Sequence, residues 1–388
     1  MKAKVLIKLG WFAFCCLLSL GQLEKLPFFP FTDLFIHDLV LITTTAMLLA
    51  RPGYRSWVVS YLRKTTPLTL ILVGWVGVAV LVGGLRGEFS HQTILYLGRA
   101  MLYLFAGVQV SFLIFQKYLK TKDVVQGLIL FVGLVLYFGL MQYLFVPDTR
   151  LLFFLGWDDH YFRLISSFLD PGFTGLLLAL GLVFGLGKYS TKFLPAGLVL
   201  LSGILLTYSR ASYLALGVGL LLLAWKKERK LAVILLFVFM SAIPFLPRPG
   251  GEGVKLERTS TITARSTSFQ DTFSDFSLSD WILGKGSFTS SNAPVSPYTQ
   301  LPSNAQFPDS WLASFISLGG VLALGLWVGV LSVWFKNNWK TEPYFVTAMV
   351  MILVHGLFNA SLFYPFVMLF MVLWGATLRS ELTQKNSL

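Results

Sequence analysis

The sequence predicts an all-α, polytopic integral membrane protein with about twelve transmembrane helices. Long apolar runs separated by short loops recur along the chain, and a run of about 20 residues crosses a roughly 30 Å hydrocarbon core. The composition agrees: 55% of residues are hydrophobic, 13% are charged, and the mean hydropathy is +0.72. A soluble domain is usually about 45–50% apolar and about 25% charged. One long polar insert, residues 248–308, rich in Ser, Thr, Pro and Gly, interrupts this ladder.

The apolar runs place spans near 4–21, 33–50, 67–85, 93–116, 124–146, 170–187, 193–208, 212–225, 231–247, 311–335, 343–360 and 364–378. The first follows Lys2, Lys4 and Lys8 and could mimic a signal peptide. No small-residue cleavage site follows it, so it is expected to be a retained span. The seventh and eighth should meet at a tight turn, Thr207-Tyr208-Ser209-Arg210-Ala211-Ser212. The organisation is therefore spans one to nine in 1–247, an outer loop in 248–308, and spans ten to twelve with a cytoplasmic tail in 309–388. Within the loop, Phe269, Phe273 and Phe276 are spaced for one helix face, so 264–280 reads as an amphipathic helix at the membrane interface.

Charge gives the orientation. With both termini cytoplasmic, the inner segments hold most of the 31 basic residues, among them Arg51, Arg55, Arg63, Lys64, Lys226, Lys227, Arg229 and Lys230. This is the positive-inside pattern. It accounts for the net charge of +13 without a nucleic-acid partner. The outer side keeps a different set: Lys25, Arg86, Arg99, Arg150, Arg163, Arg210, Arg248, Lys255, Arg258, Arg265 and Lys285, with all four histidines, His37, His91, His160 and His355. Arginine predominates there, and a guanidinium binds phosphate oxygens bidentately. The pattern suggests a phosphate or pyrophosphate ligand at the outer face. The only cysteines, Cys15 and Cys16, offer no disulfide framework. No zinc spacing or P-loop is legible, and no cofactor is expected.

Three stretches carry the functional signal. In the first, Arg163 to Asp170-Pro171, Asp170 suits an N-cap and Pro171 the first helical turn. The alternative for Arg163 is a snorkelling interfacial residue. In the second, Thr207 to Tyr213, Arg210 lies between two apolar runs, where a charge is expensive and points to function. A plainer role there is a turn residue reaching headgroup phosphates. The third joins Gly284-Lys285-Gly286 to Pro308-Asp309-Ser310-Trp311 and Gly319-Gly320. Asp309 should sit at or just before a helix start, where a cap is the plainer role.

In their order and sidedness these stretches resemble the O-antigen ligase and O-antigen polymerase superfamily of bacterial inner membranes. The detailed resemblance covers roughly 160–335, and the rest of the chain resembles the family in topology only. It rests on Arg163 to Asp170-Pro171, Ser209-Arg210, Arg265 ahead of Gly284-Lys285-Gly286, and Pro308-Asp309-Ser310 followed by Gly319-Gly320. It implies a metal-independent glycosyltransferase acting at the periplasmic face on an undecaprenyl-pyrophosphate-linked oligosaccharide. It also implies contact with membrane lipids and with a chain-length regulator or flippase. Arg163, Arg210 and Arg265 would stabilise the leaving pyrophosphate, with Asp170 and Lys285 also at the substrate. Asp309 would be the general base and His355 a second candidate. Ligases of the family place a histidine where this chain has Pro308, which favours a polymerase over a ligase. Outside the family, the readings are a polytopic transporter, a polyprenyl-sugar glycosyltransferase of an unrelated class using Asp33 and Asp38, and a non-catalytic scaffold. A transporter would put its binding residues near the midplane.

Overall fold

A computed structural model describes residues 2–26, 34–63, 67–87, 91–155, 157–226, 229–257, 260–287 and 308–385. Asp33, Lys64, Lys227 and Arg258 lie outside the described residues, as does the 288–307 part of the insert. The described chain is helical, with no strand beyond two isolated bridges. Its helices are α1 (Lys2–Leu18), α2 (Ile36–Leu49), α3 (Pro52–Leu62), α4 (Pro67–Leu85), α5 (His91–Phe115), α6 (Thr121–Phe145), α7 (Pro171–Tyr189), α8 (Leu194–Leu206), α9 (Arg210–Lys226), α10 (Arg229–Ala242), α11 (Ser260–Phe273), α12 (Leu278–Leu283), α13 (Trp311–Asn338), α14 (Pro343–His355) and α15 (Pro365–Lys385).

By length and composition, five described helical stretches can cross a membrane: Pro67–Leu85, Thr93–Phe115, Thr121–Phe145, Pro171–Leu206 and Trp311–Asn338. Five further apolar helices are 10–17 residues long. Two details differ from the sequence reading. Residues 52–62 form a helix, because Pro52 starts one readily and Tyr54, Trp57 and Val58 give it an apolar side that packs on α5. The helix expected over 264–280 is two. Ser277 caps α12, exchanging hydrogen bonds with Asp280 in a capping box, so the chain must turn before it. Phe276 falls in that turn, yet its ring still lies 4.9 Å from Phe273.

Helix α7 is the hub. It is buried continuously from Thr174 to Leu186 and packs on α6, α8, α9 and α14. A helix apolar all round belongs in the middle of a bundle. In lipid the packing comes from close backbone approach at small residues. A Cβ on Gly181 would collide with the Val132 side chain, and one on Gly175 would lie 2.6 Å from the Ser212 hydroxyl. Helices α4 and α13 form a second pair with its own aromatic cluster around Trp311 and Phe315.

α13 breaks at Gly319-Gly320. Gly320 has φ 69°, and a Cβ there would collide with the Ile282 carbonyl oxygen. The break lets α12 and the Gly284-Lys285-Gly286 turn press against it. The Lys285 N–H donates to the freed Ser317 carbonyl (2.8 Å), and Trp75 Nε1 donates to Gly319 O (2.8 Å).

A buried ionic network ties the first turn of α2 to the N-terminal half of α5. His37 bonds Glu24 (2.7 Å) and Tyr103 (2.6 Å), while Asp38 accepts from Arg99 Nη2 (2.9 Å) and Tyr103 (2.9 Å). All five residues are buried.

Candidate functional site

Five separate segments meet at one end of the bundle. The α6–α7 loop folds back on itself through Thr149 N–H to His160 O (2.9 Å) and Phe162 N–H to Pro147 O (2.9 Å). The Gln142 amide oxygen accepts from Ile165 N–H (3.0 Å), anchoring the next stretch to α6. Asp170 is then the N-cap of α7, accepting from Phe173 N–H at 2.7 Å, with Pro171 at the first turn.

The α8–α9 turn, Thr207 to Ser209, is as tight as the sequence predicts, and Arg210 opens α9. Arg163 holds this turn: its Nε donates to Thr207 O (3.0 Å) and its Nη2 to Tyr208 O (3.4 Å). Arg163 is only 9% exposed, so it is a clamp rather than a snorkelling side chain. The start of the insert lies over both arginines. Gly253 packs on the Arg163 stem, Arg210 Nη1 donates to Leu256 O (3.2 Å), and the Tyr208 hydroxyl donates to Pro247 O.

The insert returns through α11. Arg265 Nη2 donates to Asn359 Oδ1 (3.4 Å), and its guanidinium lies over the Phe358 ring at 6.0 Å. Asp309 precedes α13, whose N-cap is Ser310. The capping alternative for Asp309 therefore has no support in the geometry. Asp309, Arg265, Phe269, Phe358, Leu357, Pro308, Ser310 and Ala313 line a cavity of about 80 Å³.

Electrostatics bind the cluster together. Burial pushes the Asp309 carboxyl above the ordinary carboxylate range, with Arg265 opposing and Asp158 reinforcing the shift. Burial likewise raises Asp170, opposed by the Phe173 N–H and Arg163. It raises Asp158 too, with Asp159 adding to the shift. Arg265 is lowered by burial and by Arg210, and Asp309 counteracts this. Asp158 and Asp309 are nonetheless open to solvent. A side chain both wet and ringed by protein sits in a recessed cleft.

No family model and no curated protein sequence matches the chain. The geometry therefore carries the functional argument. It brings together Arg163, Arg210, Arg265, Asp170, Asp309 and His355 from five segments far apart in sequence.

His355 is wholly buried, with Nδ1 on Ser361 (2.5 Å) and Nε2 on Ser212 (3.2 Å). Lys285 has partners of its own. Its Nζ pairs with Asp275 (2.9 Å) and lies 4.9 Å from the Phe276 ring centroid. Its main chain braces the α13 break. The sequence reading missed Asp158, Phe358 and Asn359. The adjacent acids Asp158-Asp159 ahead of Arg163 were the available signal. Phe358 and Asn359, in a short turn between apolar runs, gave none.

Proposed function

We propose that this chain is a metal-independent glycosyltransferase of the bacterial inner membrane, using an undecaprenyl-pyrophosphate-linked oligosaccharide at the periplasmic face to extend a polysaccharide. Twelve crossings, cytoplasmic termini and a periplasmic 248–308 loop belong to this reading. The observation that carries it is the convergence of half-buried Arg210 and Arg265 with Asp309 around one cleft. The acceptor hydroxyl oxygen attacks the anomeric carbon. Its proton passes to the Asp309 carboxylate, and the bond from that carbon to the pyrophosphate oxygen breaks. Negative charge grows on the leaving pyrophosphate, where preorganised guanidinium donors stabilise it most. Asp309, raised toward neutrality by its surroundings, suits a general base better than an ordinary surface carboxylate. Arg163 acts through the turn it clamps, aiming Arg210. Asp170 sets the start of α7.

Pro308, standing where the ligases of the resembled family carry histidine, supports a polymerase over transfer to a lipid A-core acceptor. The buried Glu24–His37–Asp38–Arg99–Tyr103 network would suit a proton-coupled transporter. Its members pair closely among themselves, which fits an ionic tie between helices.

The test is polymer formation in cells. Arg210→Ala and Arg265→Ala should abolish it at wild-type membrane levels, and Lys at either position should restore little, because bidentate binding is lost. Wild-type polymer lengths in both alanine variants would overturn the reading.

A further inference from the structure

The cavity beside Arg265 and Asp309 differs in character from the arginine-rich part of the cleft. Phe269 and Phe358 wall it, and Pro308 and Leu357 add apolar surface. Phe269 is 45% exposed, and Phe273, one helical turn on, supports it edge-on at 4.9 Å. Phe273 in turn stacks on Trp281 at 4.9 Å with 24° between the planes. The Phe269 ring is thus held from behind by an aromatic string.

Three ligands could be considered for such a wall. A polyprenyl tail would strip water from a carboxylate and a guanidinium and return no hydrogen bond, which is costly. A pyrophosphate seated here would lie against the Asp309 carboxylate with Arg265 and the Ser310 hydroxyl as its side-chain donors, away from Arg210, which does not line the cavity; Phe269, Leu357 and Phe358 offer no side-chain N–H and Pro308 lacks even a backbone one. A sugar ring fits both halves. Its C–H face is apolar and flat enough to lie on an aromatic ring. Its hydroxyls can donate to Asp309 and accept from Arg265. The two charges balance, so a neutral ring suits the cavity better than a uronic acid.

We infer that this cavity is the subsite for one neutral sugar ring of the acceptor glycan, seated against Phe269 and Phe358 and held at its hydroxyls by Arg265 and Asp309. The inference rests on the transferase reading for the word acceptor, and on the cavity alone for the sugar. It makes Phe269 and Phe358 determinants of acceptor specificity, and it places the acceptor hydroxyl next to Asp309.

Saturation-transfer NMR on the detergent-purified full chain tests it, with methyl glycosides of neutral hexoses and N-acetylhexosamines and methyl glucuronide as probes. At least one neutral glycoside should receive saturation at its ring C–H protons, above micelles alone and above the glucuronide. Phe269→Ala and Phe358→Ala should weaken that binding about tenfold, and Phe269→Trp should keep it. Thermal melting identifies any variant that is merely unfolded. Signals unchanged in both alanine variants, or no saturation of any neutral glycoside, would overturn the subsite. Polymer formation by a wild-type chain that binds no glycoside would sink the subsite alone. Glycoside binding that depends on Phe269, in a chain forming no polymer, would keep the sugar site and sink the transferase reading.

Discussion

Asp309 and His355 both suit a general base in the sequence, and their surroundings separate them. Asp309 is open to solvent, does not cap α13, and lines the same cavity as Arg265. His355 has both ring nitrogens on serine hydroxyls and no exposed surface. Asp309→Asn should therefore lower turnover by about 10²-fold or more at unchanged thermal stability. His355→Ala should first lower the melting temperature, because it leaves Ser212 and Ser361 short of partners. Near-normal turnover in Asp309→Asn beside a stable, inactive His355→Ala would move the base to His355.

The pH dependence has a definite sign. Asp309 accepts a proton only when ionised, so the rate should fall as pH drops through its raised value. Stability should run the other way. Asp158, Asp170 and Asp309 hold protons more tightly when folded, so stability is lost as pH rises from the ordinary carboxylate range through those values. Rate and melting profiles over the same buffers check both slopes. Arg163 should respond unlike its neighbours. Arg163→Ala releases two carbonyls of the Thr207–Ser209 turn and should cost stability as well as activity, by about 1.5–3 kcal/mol for a charge-assisted bond.

At the scale of elements, the break in α13 positions the end of the insert. Gly320→Ala meets both a positive φ and the Ile282 carbonyl, so it should loosen α12 and the Gly284-Lys285-Gly286 turn. A Cβ on Gly325 would meet nothing within 4 Å, and Gly325→Ala should be neutral or stabilising, by up to about 1 kcal/mol. Hydrogen exchange across 278–286 distinguishes the two: faster in Gly320→Ala, unchanged in Gly325→Ala. Equal exchange in both would show that the Gly pair does not hold this contact.

The elements also show what the sequence could reveal. Apolar runs located the long helices, and the Asp170-Pro171 start of α7 was legible because cap and proline chemistry is local. The α8–α9 turn was legible because Arg210 interrupts hydrocarbon. The split between α11 and α12 was readable in principle from Ser277 and Asp280, but three phenylalanines at helical spacing overrode it. The pairing of loops was not legible. Nothing local to Phe358 and Asn359 says that they face Arg265, nor anything in Lys285 that it pairs with Asp275.

At the scale of the molecule, the bundle gathers its polar chemistry at one end. In the proposed topology, positive-inside charge places that end outside. Cysteine at Ser274 should react with an impermeant reagent in intact cells, and cysteine at Lys340 should not; both positions are exposed. The reverse pattern would invert the topology and remove a periplasmic site. The central claim is that arginines and one carboxylate at this end transfer glycan from a lipid pyrophosphate without a metal. It is tested most directly by the purified chain in lipid nanodiscs, given undecaprenyl-pyrophosphate-linked oligosaccharide in excess chelator. The wild type should give longer glycans and released undecaprenyl pyrophosphate, and equally stable Arg210→Ala and Arg265→Ala should give neither product. Transfer restored only by a divalent ion, or undiminished in both arginine variants, would contradict it.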